Sequence, residues 1–355
     1  SGFTYNVNHN IELAADTTFN GANSGRVNFN GILSGSGGFN RSGSYGDVYF
    51  ANNNTYQGPT VISSRGLTVG LYGSASTVGS LGSGDVTTSG PITFQRANTY
   101  NVTNKISGGG GIIQFGVGTL TLNPQNTYTG STQIYAGVLA VSSLNSVNGG
   151  EPLFESSCLG APTTVGNGTI GLASGATATL RYTGGGETTD RVVNLRSSAS
   201  GTIEQAGTGL LKFTSNFTAT GASTKTLTLT GSSTGTGELA GAVVDNSATN
   251  KTNLAKTGTG IWTLSGASSY TGTTAVSNGT LVVNGSIASP STLTVSAGAR
   301  LSGSGSIASP VTVTGTLAPG DSFGTLGIGG AVSFGSASRL IWESGANNTS
   351  TVDLL

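Results

Sequence analysis

Apolar and polar residues alternate along almost the whole chain, in short runs of about five residues bounded by Gly, Ser and Asn. Examples are Thr60-Val61-Ile62, Gly66-Leu67-Thr68-Val69, Gly111-Ile112-Ile113-Gln114-Phe115, Ala178-Thr179-Leu180-Arg181-Tyr182, Lys225-Thr226-Leu227-Thr228-Leu229-Thr230, Ser291-Thr292-Leu293-Thr294-Val295 and Pro310-Val311-Thr312-Val313. A period of two puts alternate side chains on opposite faces of a strand, one of them buried. Apolar spacing of three and four is nearly missing, and Gly interrupts most windows, so few helices are expected. The chain is rich in Gly, Ser and Thr, as disordered segments are, but a disordered tract would not hold this phase.

One phrase recurs on top of the alternation. An apolar run leads to two or three Asn, Ser or Thr residues and then a Tyr. The copies run from Val48-Tyr49-Phe50 to Asn54-Thr55-Tyr56-Gln57-Gly58, from Ile92-Thr93-Phe94 to Asn98-Thr99-Tyr100-Asn101, from Leu120-Thr121-Leu122 to Asn126-Thr127-Tyr128-Thr129-Gly130, and from Trp262-Thr263-Leu264 to Ser268-Ser269-Tyr270-Thr271-Gly272. The copy at Tyr100 lacks the Gly two residues on. Each phrase is followed by another strand-like run. A strand–turn–strand unit that carries its own corner predicts an all-β solenoid, with short strands and Gly/Asn/Ser/Thr-rich corners, rather than a sandwich.

Rungs of about 20–25 residues would make about 15 coils at ~4.8 Å each. Equivalent residues of successive rungs would then stack, with Tyr56, Tyr100, Tyr128 and Tyr270 in aromatic columns and Asn54, Asn98 and Asn126 in amide ladders. No linker is visible, so residues 1–355 read as one solenoid. Within it, 1–143 form a repeat array, 144–253 are irregular rungs with a loop protruding near 144–165, and 254–355 are regular again.

Composition narrows the function. Fourteen Lys and Arg balance fourteen Asp and Glu, which leaves no basic patch for nucleic acid or an anionic membrane, and little repulsion against self-association. No stretch is apolar enough for a membrane helix. The missing Met and signal segment read as a mature chain after removal of a targeting peptide. Cys158 is the one cysteine, so no internal disulfide forms.

Candidate chemistry is sparse. Gly320-Asp321-Ser322-Phe323-Gly324 fits the esterase elbow, but a Gly-rich strand-like run follows where a helix is needed, and the one His is His9. The aspartates Asp16, Asp47, Asp85, Asp190, Asp245, Asp321 and Asp353 are dispersed, unlike the paired carboxylates of a polysaccharide-cleaving solenoid. His9 with Glu12 and Asp16, and Glu151, Glu155 and Cys158 in the irregular loop, read as solvated or structural groups rather than metal sites. No catalytic residue, cofactor or metal is expected. The Tyr column reads as internal support, with sugar stacking as the alternative.

Leu254-Ala255-Lys256-Thr257-Gly258-Thr259-Gly260-Ile261-Trp262-Thr263-Leu264-Ser265-Gly266, with Tyr270-Thr271-Gly272 and Gly279-Thr280-Leu281, resembles the autotransporter-associated β-strand repeat, also called the passenger-associated transport repeat. Gly118-Thr119-Leu120-Thr121-Leu122 with Tyr128-Thr129-Gly130 and Gly137-Val138-Leu139 matches closely, and Asp47 to Gly70 more loosely. Gly315-Thr316-Leu317-Ala318-Pro319-Gly320-Asp321-Ser322-Phe323-Gly324-Thr325-Leu326 resembles the signature near the end of such arrays. The resemblance implies a right-handed parallel β-helix on a bacterial surface or shed from it. Its relatives are adhesins, fibres and passenger scaffolds. No outer-membrane barrel or C-terminal sorting segment follows in this sequence.

A solenoid's terminal rungs offer unpaired backbone groups. Phe3, Tyr5 and Val7 at one end, and Val352 and Leu354 at the other, are strand-like. Head-to-tail pairing of copies into a surface fibre is therefore the first functional expectation. The second is an adhesin that binds glycan, matrix or host surface through its flank, and the third a carbohydrate-active enzyme.

Overall fold

The computed structural model describes residues 3–20, 25–43, 46–71, 73, 75–147, 155–174, 176–196, 200–231, 234–288, 291–320 and 324–342. The protein divides into two compact units, Ser1–Gly171 and Leu172–Leu355.

In the first unit, Thr4–Val7, Arg26–Phe29, Asp47–Phe50, Leu67–Val69, Ile92–Phe94, Ile112–Gln114 and Thr132–Ile134 lie side by side in one sheet. Thr17–Phe19, Phe39–Arg41, Thr60–Ile62, Val86–Thr88 and Ile106–Ser107 form a second. Tyr100–Val102, Thr119–Leu122 and Gly137–Val141 belong to a third. Strands adjacent in a sheet are separated in sequence by strands of the other sheets, so the backbone winds in coils. Their pairings are parallel and in strict register: Ile92 lies beside Ile112, and Ile112 beside Thr132. This is the expected parallel β-solenoid.

The second unit coils in the same way. Ala178–Tyr182, Gly201–Gln205, Lys225–Thr230, Thr252–Lys256, Thr274–Val276, Leu293–Val295, Val311–Val313 and Val332–Phe334 share one sheet. Glu187–Thr189, Leu210–Phe213, Thr236–Leu239, Ile261–Leu264, Thr280–Val283, Arg300–Gly303, Thr316–Pro319 and Arg339–Leu340 share another.

The alternation explains the interior. In Thr119–Leu122 the two leucines are buried and the threonines half-buried. Register then turns inward positions into columns. Phe29, Phe50, Val69 and Phe94 are consecutive neighbours in one, and Trp262, Leu281, Leu301 and Leu317 in another. Each fully buried side chain of this size contributes about 1.5–3 kcal/mol. Phe19, Phe29, Phe39 and Phe50 pack edge to face or stacked, with centroids 4.6–6.1 Å apart.

Val165–Gly168 is the one helix among the described residues, capped by the Thr164 hydroxyl, which accepts the Asn167 N–H. No described helix is long and apolar enough to cross a membrane. Within the segment expected to protrude near 144–165, Leu144, Val147, Cys158 and Leu159 are buried.

Candidate functional site

In three of its four copies the recurring phrase builds a lock. Tyr56, Tyr128 and Tyr270 are fully buried. Each hydroxyl shares a hydrogen bond with the hydroxyl of a Thr four residues on: Tyr56 with Thr60 at 2.6 Å, Tyr128 with Thr132 at 2.8 Å, and Tyr270 with Thr274 at 2.6 Å. The ring fills the corner and the Thr begins the next strand, so one bond fixes the bend. Burial pushes the Tyr56 phenol up to about 12, partly offset by the Thr60 bond. Burial likewise holds the Tyr270 phenol far above its usual range.

Two residues before each Tyr, a polar side chain joins adjacent coils. The Asn54 side-chain oxygen accepts the Leu33 N–H at 2.9 Å, and its amide donates to the Ser80 carbonyl at 2.8 Å. Asn126 accepts the Ile106 N–H at 2.9 Å and donates to the Cys158 carbonyl at 3.0 Å. In the third copy the Ser268 hydroxyl accepts the Val243 N–H at 3.1 Å. The backbone continues the pairing, since Thr55, Thr127 and Ser269 donate to the carbonyls of Leu33, Ile106 and Val243. The side-chain oxygen stands in for a backbone carbonyl where the strand ladder breaks at the corner. Asn54 and Asn126 thus bond coil backbone above and below.

The Gly two residues after the Tyr is set by close approach. A Cβ at Gly58, Gly130 or Gly272 would fall 2.2–2.4 Å from backbone of the preceding coil. The copy without that Gly is built differently. Tyr100 begins the strand Tyr100–Val102 and is half-buried. Its hydroxyl accepts the Leu81 N–H at 3.2 Å, and the Arg96 guanidinium lies 4.6 Å from its ring centroid. Asn98 is exposed, accepts from Arg96 at 3.1 Å and donates to the Thr77 carbonyl at 3.2 Å.

A second set of residues escaped the sequence reading. Long polar side chains occupy inward positions at strand ends and curl onto carbonyls of the neighbouring turns. The Gln114 amide donates to Gly116 and Gly118 carbonyls at 2.7 and 3.1 Å. At the matching point of the last repeat copy, the fully buried Lys256 ammonium donates to the carbonyls of Thr257, Gly258 and Asn278 at 2.7, 2.8 and 3.0 Å. Lys225 donates to Gly221, Ala222 and Ser223, and Arg41 to Gly66 and Gly46. Burial pushes the Lys256 ammonium down to about 8. The signal was present in sequence: Gln114 and Lys256 keep the buried phase of the alternation with a polar side chain.

At the N-terminal end, Phe3 and Tyr5 are 77% and 60% exposed, and Val7 is half-buried. Val352 and Leu354 lie outside the described residues, as do Glu151 and Asp321-Ser322-Phe323 of the esterase-like motif. Asp16 accepts the Gly38 N–H at 2.7 Å. Among the described residues, no three His, Cys, Asp or Glu gather as metal ligands.

The passenger-associated-transport-repeat family matches this protein at residues 45–66, 112–141 and 254–283. Each match contains one buried Tyr–Thr lock. The sequence is also similar to the adhesin BmaC autotransporter of Brucella suis biovar 1 (strain 1330), with 33% identity over 269 residues, which cover 66% of this chain and 8% of that protein. The chain thus spans a small fraction of that relative's length. No solved structure matches it.

Proposed function

Since the passenger-associated transport repeat recurs along this protein, we propose that it is a non-enzymatic β-solenoid segment of an autotransporter passenger, held outside a bacterial cell as an adhesive element. One observation carries the reading: the repeat's polar residues are spent on its own coils. Tyr56, Tyr128 and Tyr270 bond to Thr60, Thr132 and Thr274, and Asn54 and Asn126 to neighbouring backbone. A motif used in this way makes a scaffold, and contacts with a partner fall to the outward residues of the coils. The similarity to a protein named as an adhesin supports the same reading.

The test is adhesion. Beads or non-adherent bacteria displaying the protein should attach to host cells or matrix more than carriers without it, and the soluble protein should compete. Equal attachment by both carriers would overturn the adhesive reading. Turnover of polysaccharide or ester substrates by the purified protein would overturn the non-enzymatic one.

A second reading, head-to-tail association into a fibre, is favoured by the edge strand Thr4–Val7. Among the described residues it pairs on one side only, with Arg26–Phe29; it carries exposed Tyr5, and exposed Phe3 immediately precedes it. Sedimentation over a range of concentrations tests it: mass that rises with concentration, and ceases to rise in Tyr5→Lys, supports it, and a constant monomer mass overturns it.

A further inference from the structure

An Asn-Gly pair is where a polypeptide most readily modifies itself, because the Gly nitrogen attacks the preceding side-chain amide without a side chain of its own in the way. Four such pairs are fully described: Asn30-Gly31, Asn167-Gly168, Asn278-Gly279 and Asn284-Gly285. In three, the Gly N–H is committed to a backbone carbonyl. Gly31 donates to Val7 at 3.0 Å, Gly168 to Thr164 at 2.8 Å, and Gly285 to Leu264 at 2.9 Å. The Gly279 N–H instead donates to the Asn278 side-chain oxygen at 2.7 Å. That contact folds the side chain back over the very peptide that would attack it.

Asn278 is exposed. It lies in the turn between Thr274–Val276 and Thr280–Val283. The buried Lys256 ammonium donates to the Asn278 backbone carbonyl at 3.0 Å. That carbonyl belongs to the same peptide group as the Gly279 nitrogen. A cation there stabilises the negative charge that the peptide acquires when the nitrogen loses its proton. The turn itself demands neither feature. In the 112–141 copy the equivalent Gly137 has φ +65° against +64° at Gly279, and a Cβ at either would crowd two carbonyl oxygens of the turn before it. There Ala136 precedes the Gly, and Gln114 takes the place of Lys256.

We propose that Asn278 is a self-modification site, at which the Gly279 nitrogen attacks the amide carbon of the Asn278 side chain and converts the residue to aspartate or isoaspartate. The new bond, from the Gly279 nitrogen to Cγ, closes a succinimide. The bond from Cγ to Nδ2 breaks, and the amide nitrogen leaves as ammonia, taking up the proton lost from Gly279. Water then opens the ring at the backbone carbonyl of residue 278 to give isoaspartate, or at the Cγ carbonyl to give aspartate. No oxidant or reductant is involved. Lys256 is a positioning residue: it polarises the peptide and does not bond to the reacting carbon. The product is a carboxylate beside a buried ammonium, in a protein whose formal charge is +0, so the 254–283 repeat copy gains a one-way change of charge.

The test is peptide mapping by mass spectrometry of the full-length protein, aged in neutral buffer at 37 °C and set against protein aged in denaturant. In the folded state, the amide-to-acid mass gain at Asn278 should outpace that at Asn30, Asn167 and Asn284 by about tenfold, a ratio equal to about 1.4 kcal/mol of barrier. In denaturant the four sites should converge. Conversion at Asn278 no faster than at Asn284 in the folded state, or the same bias persisting in denaturant, would overturn the proposal. Lys256→Met, checked for folding by circular dichroism, should slow Asn278 alone; an unchanged rate would overturn the part given to Lys256. If that variant does not fold, the comparison of the four native sites still decides.

Discussion

The Asn126 side chain and the Ile106 backbone open a two-bond clasp between adjacent coils, which the Thr127 backbone completes. The Ile106 N–H donates to the Asn126 side-chain oxygen at 2.9 Å, and the Ile106 carbonyl accepts the Thr127 N–H at 2.9 Å. The Asn126 amide reaches the other way, to the Cys158 carbonyl. Asn126→Ala leaves a buried N–H and a buried carbonyl without partners. It is expected to cost about 2–5 kcal/mol, read from denaturant unfolding. Asn126→Asp keeps the acceptor but buries a carboxylate whose second oxygen faces the Cys158 carbonyl, so at neutral pH it should cost at least as much as the alanine variant.

The Tyr–Thr lock separates packing from hydrogen bonding. Tyr270→Phe keeps the ring and strands the Thr274 hydroxyl, which should cost about 1–2 kcal/mol. Tyr270→Ala empties the corner and should cost about 3–5 kcal/mol, as large aromatic deletions do. Thermal unfolding of the two variants distinguishes them. Equal losses would mean that the ring contributes nothing beyond its hydroxyl.

Much of this was legible in the sequence. The period of two gave the strands, and the spacing of Asn54, Tyr56 and Gly58 marked one corner three times over. The direction of the Tyr side chains was open between internal support and sugar stacking, because a corner residue follows neither face of the alternating pattern. Its partner Thr four residues on was missed for the same reason: the pair meets only after the backbone has bent. Lys256 was missed because a cation in the inward phase contradicts burial until the three carbonyls that receive it are known.

The close coil-to-coil approach predicts a sharp difference between neighbouring glycines. A Cβ at Gly130 would fall 2.4 Å from the Gly110 backbone, whereas one at Gly109 meets nothing within 4 Å. Gly130→Ala should therefore lower stability by about 1–3 kcal/mol, and Gly109→Ala should change it by less than about 0.5 kcal/mol. Melting temperatures of the two variants check this.

The buried titratable groups give stability two opposed limbs against pH. Lys256 is held down to about 8 in the folded state, and titrates near ~10.4 when unfolded. Between those values the unfolded state binds more protons, so stability rises with pH through that window. Tyr56 is raised to about 12, against ~10 unfolded. Its contribution is complete below the unfolded value and is lost as pH rises through the folded one. Denaturation midpoints should climb from about pH 8 toward pH 10 and then fall. Lys256→Met should flatten the climb, and Tyr56→Phe should soften the fall.

Cys158 offers a direct readout of opening in the first unit. Its side chain is fully buried, its sulfur accepts the Ser142 N–H at 3.3 Å, and its own N–H donates to the Ser143 hydroxyl at 3.0 Å. A thiol reagent needs the exposed thiolate, so labelling of the native protein should wait on local opening and run far slower than in denaturant. The carbonyl of this same residue receives the Asn126 amide. Asn126→Ala should therefore speed labelling, by about thirtyfold for each ~2 kcal/mol lost from the barrier to opening. Native labelling as fast as in denaturant would place the thiol at the surface. Unchanged labelling in Asn126→Ala would show that the Asn126 bond to the Cys158 carbonyl does not hold this segment closed.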